Sequence, residues 1–236
     1  MSEHLVWERP EPPSRPALSP LSRERIVAAA IALADADGLA AVSVRKVAAA
    51  LDAGPMRLYG YLSTKEELLD LMADAVHGEL PAPPAGDWRA TLRSLAHGLR
   101  DVTHRHPWFA DLLGGRPSFG PRQLAHTEAT LAALTDFGDI DTVMAVINTV
   151  TSYAAGAIRK EIADQRAEAF SGMSKAQYQR ALGPYLTRML ATGRYPTLAM
   201  VMRDAAHPSP DVVFDTGLDH ILAGVAAHLA STPDRR

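Results

Sequence analysis

Residues 51–65, LDAGPMRLYGYLSTK, constrain the fold of this chain more than any other stretch. They lie between two runs with helical periodicity, SVRKVAAAL at 43–51 and KEELLDLMADAV at 65–76. Asp52, Ala53 and Gly54 have the composition of a tight turn. Pro55 suits the first position of a helix, where its missing N–H goes unused. About two turns of helix are expected to follow. Leu58 and Leu62, four apart, can face a core, which leaves Pro55, Met56, Arg57, Tyr59 and Tyr61 on other faces, several of them outward. A hydrophobic core has no use for that set of side chains. A helix, a tight turn and a second short helix make a helix-turn-helix unit, whose second helix enters the major groove of DNA.

The flanking segments fit the same unit. Residues 22–37 repeat apolar side chains at Ile26, Ala30, Leu33 and Ala34, and Gly38 can end that helix as a C′ glycine. Ser43 can cap the next helix, with Val44, Val47, Ala48 and Leu51 facing inward. Ser63 with Glu66, or Thr64 with Glu67, makes a capping box that starts a fourth helix. Its apolar stripe is Leu68, Leu69, Met72, Val76 and Leu80. The first twenty residues are Pro-rich and read as a mobile, disordered arm. The run PAPPAG at 81–86 marks a domain boundary. The organisation is therefore an arm at 1–20, a DNA-binding domain at 21–80 that includes the linking fourth helix, and a larger helical domain at 87–231.

Beyond the boundary, helices are expected near 87–105, 107–113, 121–136, 140–168, 174–192, 195–203 and 211–231. Gly and Pro punctuate the breaks, and Gly183-Pro184 is a candidate kink or split. No alternating strand pattern appears, and alanine, the best helix former, is abundant. The fold class is all-α. The absence of cysteine excludes thiolate chemistry, disulfides and cysteine-held zinc. No signal peptide or uninterrupted apolar span is visible, so the expected setting is cytoplasmic, with no membrane partner. A net charge of −3 means that DNA contact must come from a local patch.

That patch can be named. Arg57 can donate two hydrogen bonds to guanine O6 and N7, Pro55 and Met56 can touch thymine methyls, and the hydroxyls of Tyr59 and Tyr61 can reach phosphates. Gly60 lets the helix lie close to the backbone. Arg45 and Lys46 at one helix start, and Lys65 at another, suit phosphates beside helix N-termini. Arg23 and Arg25 extend the cationic edge, and Arg15 in the arm can lie in a neighbouring minor groove.

Residues 22–80 resemble the DNA-binding domain of the tetracycline-repressor family. The resemblance rests on the first helix with Gly38, the SVRKVAAAL helix, the Leu58-Tyr59 pair and the following STKEELL. The C-terminal half resembles the branch of the family with a tetracycline-repressor-like C-terminal domain through Trp88, the 114–117 segment GGRP and the final FDTGLDHILAGV at 214–225. The resemblance implies a homodimeric transcriptional regulator, typically a repressor. It binds a double-stranded operator and is released by a small-molecule inducer that acts through the fourth helix. It also implies a four-helix dimer bundle, here from roughly 140–168 and 211–231. Small residues at 154–157 and at Gly224, Ala226 and Ala227 suit close helix approach there, and equally suit an ordinary helical core.

In the tetracycline-binding members, histidines help hold a magnesium–drug chelate. The matching positions here are Pro81 and Leu112 or Leu113, while Leu95 and Leu99 replace an asparagine and a phenylalanine, and Arg116-Pro117 persists. The implied inducer is therefore more hydrophobic and not chelated. Candidate lining residues are Leu95, Leu99, Thr103, Trp108, Phe109, Leu112, Arg116, Phe119, Met144, Asn148, Thr151 and Tyr178. Each of them also suits an ordinary core.

No Walker loop, GxSxG, HExxH or dinucleotide fingerprint occurs, so neither enzyme activity nor a cofactor is expected. His104 and His106 stand two apart, on different sides of a helix, which disfavours joint metal ligation. Two alternatives stay open: an activator or ligand-independent regulator of the same fold, and an all-helical metal-dependent enzyme built on those histidines.

Overall fold

The computed structural model describes residues 5–12, 21–115 and 118–231, and among them every regular element is helical. The chain divides into two compact units, residues 1–158 and 159–236.

The first unit opens with α1 (Arg23–Asp37). The Ser22 hydroxyl caps it by accepting from the Arg25 N–H at 3.2 Å. Gly38 ends it at φ +79°, a conformation that L side chains resist, and its N–H closes on the Ala34 carbonyl at 2.8 Å. After a short 3-10 turn comes α2 (Val44–Ala50), capped by Ser43, which accepts from Lys46 N–H. The turn 51–54 carries Asp52 at φ +50° and leads into α3 (Pro55–Leu58), with Pro55 as its first residue. Regular helix in α3 is one turn rather than the two expected. The chain coils onward with Gly60 N–H on Arg57 O, and Tyr61 and Leu62 N–H on Leu58 O. Gly60 weakens helix at that point, so the second turn is loose.

Helix α4 (Lys65–His77) starts with Thr64 accepting from Glu67 N–H at 3.1 Å. The Glu67 carboxylate reaches back one residue further than a capping box requires, to Ser63 N–H at 2.6 Å. The core among α1–α4 is Ile26, Ala30, Val47, Ala48, Leu58, Leu62, Leu68 and Met72, all without exposed surface. Leu33, Leu51 and Leu69 are only half-buried, whereas Leu71 and Asp74, absent from the expected stripe, are buried.

Helix α5 (Trp88–Arg105) is capped by Asp87, which accepts from Arg89 N–H. Its inner face is Leu92, Leu95, Ala96, Leu99, Val102 and Thr103. Gly98 belongs to that face for a steric reason: a Cβ there would meet Pro81 Cδ at 2.7 Å. A 3-10 segment (Pro107–Asp111) buries Trp108 and Phe109, and α6 (Pro121–Ala133) follows. Helix α7 (Ile140–Ser171) passes from the first unit into the second, with Val143, Val146, Val150, Ala154 and Ile158 buried at helical spacing.

The second unit continues with α8 (Lys175–Ala191), α9 (Pro196–Asp204) and α10 (Pro210–Ser231). Helix α8 begins with a capping box between Ser174 and Gln177 and runs on through Pro184 without splitting. Phe214, Leu218 and Leu222 of α10 are buried, four apart on one face. Much apolar surface stays exposed, including Phe170, Tyr178, Tyr185, Leu198, Met200, Val212 and Val213. Helix α10 is long and apolar enough, by length and composition alone, to cross a membrane. Asp215 and Asp219 interrupt it, and a carboxylate at a bilayer centre costs about 2.5–3.5 kcal/mol.

Candidate DNA-binding surface and regulatory core

The helix-turn-helix divides the residues of α3 as its spacing requires. Leu58 is fully buried, and Pro55, Met56, Arg57, Tyr59 and Gly60 are exposed. Met56 is 80% exposed, a cost that no monomer core explains. Arg45 and Lys46 stand exposed in the first turn of α2, and Lys65 is exposed at the first position of α4. Each of these cations stands in the first turn of its helix, near the positive end of the helix dipole.

Two residues need correction. Tyr61 does not offer its hydroxyl outward. The ring is only 7% exposed, and the hydroxyl donates to the Leu21 carbonyl at 2.7 Å, tying the loop after α3 to the entry of α1. Arg23 does not extend the cationic edge either. It is half-buried, and its guanidinium donates to the Arg9 carbonyl at 3.0 Å. Arg25 does remain exposed.

Residues 5–12 are not a free arm. Val6 is buried, and Arg9 pairs with Glu67 and Ser63 at the start of α4. Pro-rich composition suppressed helix there but did not prevent docking, because Val6 and Arg9 each find a partner surface. Arg15 lies outside the described residues.

The predicted inducer-lining residues separate into three groups. Leu95, Leu99 and Thr103 line one face of α5, and Trp108 and Phe109 pack beside it, all buried. Leu112 and Thr151 are half-buried, and Thr151 satisfies its hydroxyl on the Ile147 carbonyl at 2.8 Å. Phe119, Met144 and Asn148 are exposed, as is Tyr178 in the second unit, and Arg116 lies outside the described residues. Phe119 also sits at φ +53°, an uncommon conformation for an aromatic residue. Trp108 spends its indole N–H on Asp35 of α1 at 2.7 Å, so it is a link between helices as well as a core residue. A groove of about 680 Å³ opens elsewhere, lined by Trp7, Arg23, Val27, Leu71, Asp74 and Arg122 among others, with none of the predicted set.

Sequence reasoning missed two polar junctions. Asp74 is 4% exposed, and its Oδ1 accepts the N–H groups of Arg122 and Gln123, each at 2.9 Å. A carboxylate on α4 thus caps α6 from outside, where Gly120 supplies no capping side chain. The bare Gly120-Pro121 start of α6 was the available signal. At the second junction, His106 Nδ1 lies 2.8 Å from Asp35 and Nε2 lies 3.2 Å from Glu79, which Arg105 also meets at 3.0 Å. Both ring nitrogens of His106 therefore serve carboxylates, while His104 is exposed. Among the described residues, no group of three or more His, Cys, Asp or Glu is placed to hold a metal ion.

Two further histidines are held below their ordinary pKa, chiefly by burial. His77, at the end of α4, meets the Ala73 carbonyl through Nδ1 at 2.8 Å and packs edge-on against Phe109, with ring centres 5.3 Å apart. His126 of α6 meets the Pro81 carbonyl through Nε2 at 3.3 Å.

Comparison with known proteins gives these features a context. Residues 26–72 match the bacterial regulatory proteins of the tetR family, and residues 80–229 match the tetracyclin repressor-like C-terminal domain. The chain is 38% identical over 231 residues to the HTH-type transcriptional repressor DrrR1 of Streptomyces coeruleorubidus, covering 96% of this chain and 85% of that protein. It is 25% identical over 215 residues to the class E tetracycline repressor protein of Escherichia coli, covering 89% and 92% of the two chains. The crystal structure of Streptomyces coelicolor ActR in complex with actinorhodin superposes with a TM-score of 0.76 at 26% identity, covering 89% of this chain and 98% of that one. With its helix-turn-helix head and its helical C-terminal region both matched, this chain belongs to the tetR family of bacterial transcriptional regulators.

Proposed function

We propose that this protein is a ligand-responsive repressor that binds a palindromic operator as a homodimer and leaves it when a small hydrophobic inducer binds. The observation that carries the reading is the outward set Pro55, Met56, Arg57 and Tyr59 on a short helix, flanked by exposed Arg45, Lys46 and Lys65. Arg57 reads guanine, worth about 1–3 kcal/mol of discrimination, and Pro55 and Met56 lie against thymine methyls. Gly60 permits close approach, while Tyr59, Arg45, Lys46 and Lys65 hold phosphates and set the register. Residues 21–80 form the DNA-binding domain, and residues 87–231 bind inducer and dimerise.

Dimerisation is supported by α10, which is apolar yet only 17% buried along its most apolar stretch. Gly156 on α7 and Gly224 on α10 both face open space, so either leaves room for a partner helix. Two heads about 34 Å apart then match successive major grooves. The inducer acts only if it binds the two states of the dimer with different affinity.

The inducer site draws on the buried side chains Leu95, Leu99, Thr103, Trp108 and Phe109, with half-buried Leu112 beside them. Its apolar walls, and Pro81 and leucines at positions where tetracycline-binding members carry histidines, favour a hydrophobic guest without a chelated metal. The relative crystallised with actinorhodin supports a ligand-responsive role in this branch. Operator DNA and the protein share the cytoplasm, and no catalytic step is required of it.

The test is selection of bound genomic DNA fragments, then titration of the selected duplex against salt and a panel of hydrophobic aromatic compounds. Binding by a dimer, weakening as salt rises and released by a panel member, is the expected result. A monomer that binds no duplex at low ionic strength overturns the proposal.

A further inference from the structure

The N-terminal segment, which lies ahead of the matched helix-turn-helix region at residues 26–72, is built into the reading head. Arg9 is the centre of the contact. Its guanidinium pairs with the Glu67 carboxylate and meets the Ser63 hydroxyl, and its side chain is only 23% exposed. Glu67 is also the group that accepts the Ser63 N–H at the start of α4. Arg9 therefore grips both ends of the five-residue stretch Ser63–Glu67, which runs from the loop after α3 into the first turn of α4.

The rest of the segment reinforces that grip. The Arg9 carbonyl accepts from Arg23, the Glu11 carboxylate accepts from Arg23 N–H, and Val6 is buried. Pro12 lies against Gly60, close enough that a Cβ there would meet its Cγ at 3.2 Å. Tyr61 in turn donates to the Leu21 carbonyl. The loop at 59–64 is thus tied both to residues 5–12 and to the entry of α1. Tyr59 and Lys65, two of the DNA-facing residues, stand at the two ends of that loop.

From this geometry we propose that residues 5–12 form a strap that fixes α3 relative to α4, and that Arg9 is a positioning residue for operator recognition rather than a DNA contact. The proposal rests on the operator-binding reading above. Because Arg9 acts on the placement of α3, its loss falls on the specific complex. Phosphate contacts in non-specific complexes tolerate a shifted helix, since they carry no sequence register.

The experiment measures the affinity of the full-length protein for its operator and for a scrambled duplex, across a range of salt. Arg9→Ala removes the contacts to both Glu67 and Ser63 and is expected to weaken operator binding roughly tenfold, about the scale of one charge-assisted hydrogen bond. Scrambled-duplex affinity and the salt slope stay at wild-type values, and Arg9→Lys recovers part of the loss. If Arg9→Ala fails to fold, Glu67→Gln decides on the same readouts. Its amide oxygen still accepts Ser63 N–H, but its charge no longer holds Arg9. Wild-type operator affinity in the deciding variant overturns the strap. So does an equal loss on both duplexes with a salt slope reduced by about one phosphate, which makes Arg9 a direct backbone contact. A wild-type protein that binds no duplex overturns the operator reading and the strap together.

Discussion

Burial and one hydrogen bond separate Tyr59 from Tyr61. Both are tyrosines on a short basic helix and its exit, yet one side chain is half exposed and the other is sealed with its hydroxyl on Leu21. Tyr61→Phe is expected to cost about 1 kcal/mol of stability in urea unfolding and to leave the salt slope of operator binding unchanged. Arg57→Ala should instead relax base preference at one position, and Lys65→Ala should weaken all duplexes alike, as read by titration against a set of operator variants. Gly120 is fixed by its neighbour: an added Cβ would fall inside the Asp74 carboxylate, itself buried under α6. Gly120→Ala is expected to lose about 1–3 kcal/mol in denaturant unfolding. Position 57 was legible in the sequence because spacing alone puts it outward. Tyr61 was not, because its partner is 40 residues away, and period cannot reveal a remote carbonyl.

Helix ends were the most legible elements. Ser43 and Thr64, both named as capping candidates, each cap the helix that follows, since a cap is satisfied within four residues of itself. The external cap of α6 by Asp74 was hidden, because the donor and acceptor elements lie far apart in sequence. The end of α4 carries a pH consequence. His77 and His126 have folded pKa values below their unfolded ones, chiefly through burial. The unfolded chain therefore binds more protons than the folded one once the pH drops toward and below about 6.5. Stability is full above that pH and is lost as the solution turns acid. Thermal unfolding between pH 7.5 and 5.5 should show a falling midpoint. His77→Leu should flatten the fall, whereas an unchanged slope would remove His77 from the account.

For the whole molecule, the largest unspent resource is apolar surface in the second unit. Val212 and Val213 of α10 are each about half exposed, and Gly224 on the same helix has open space beyond its Cα. In the dimer proposed above, a second copy would cover α10 and so account for that surface. Gly224→Leu is expected to leave helicity intact by circular dichroism and to shift the protein from dimer to monomer in sedimentation. A dimer of unchanged strength would place the interface elsewhere.

The sequence by itself determined the all-helical class, the order of elements and the outward chemistry of α3, because helical period and capping act over a few residues and need no remote partner. Tertiary structure alone decided that residues 5–12 dock and that Tyr61 turns inward. It alone decided that Asp74 caps a helix from another element, and that the predicted inducer residues divide between core and surface. Those outcomes depend on which polar group finds a partner across 40 or more residues of chain. Burial makes an unpaired group too costly to leave, but local pattern does not say where the partner will be.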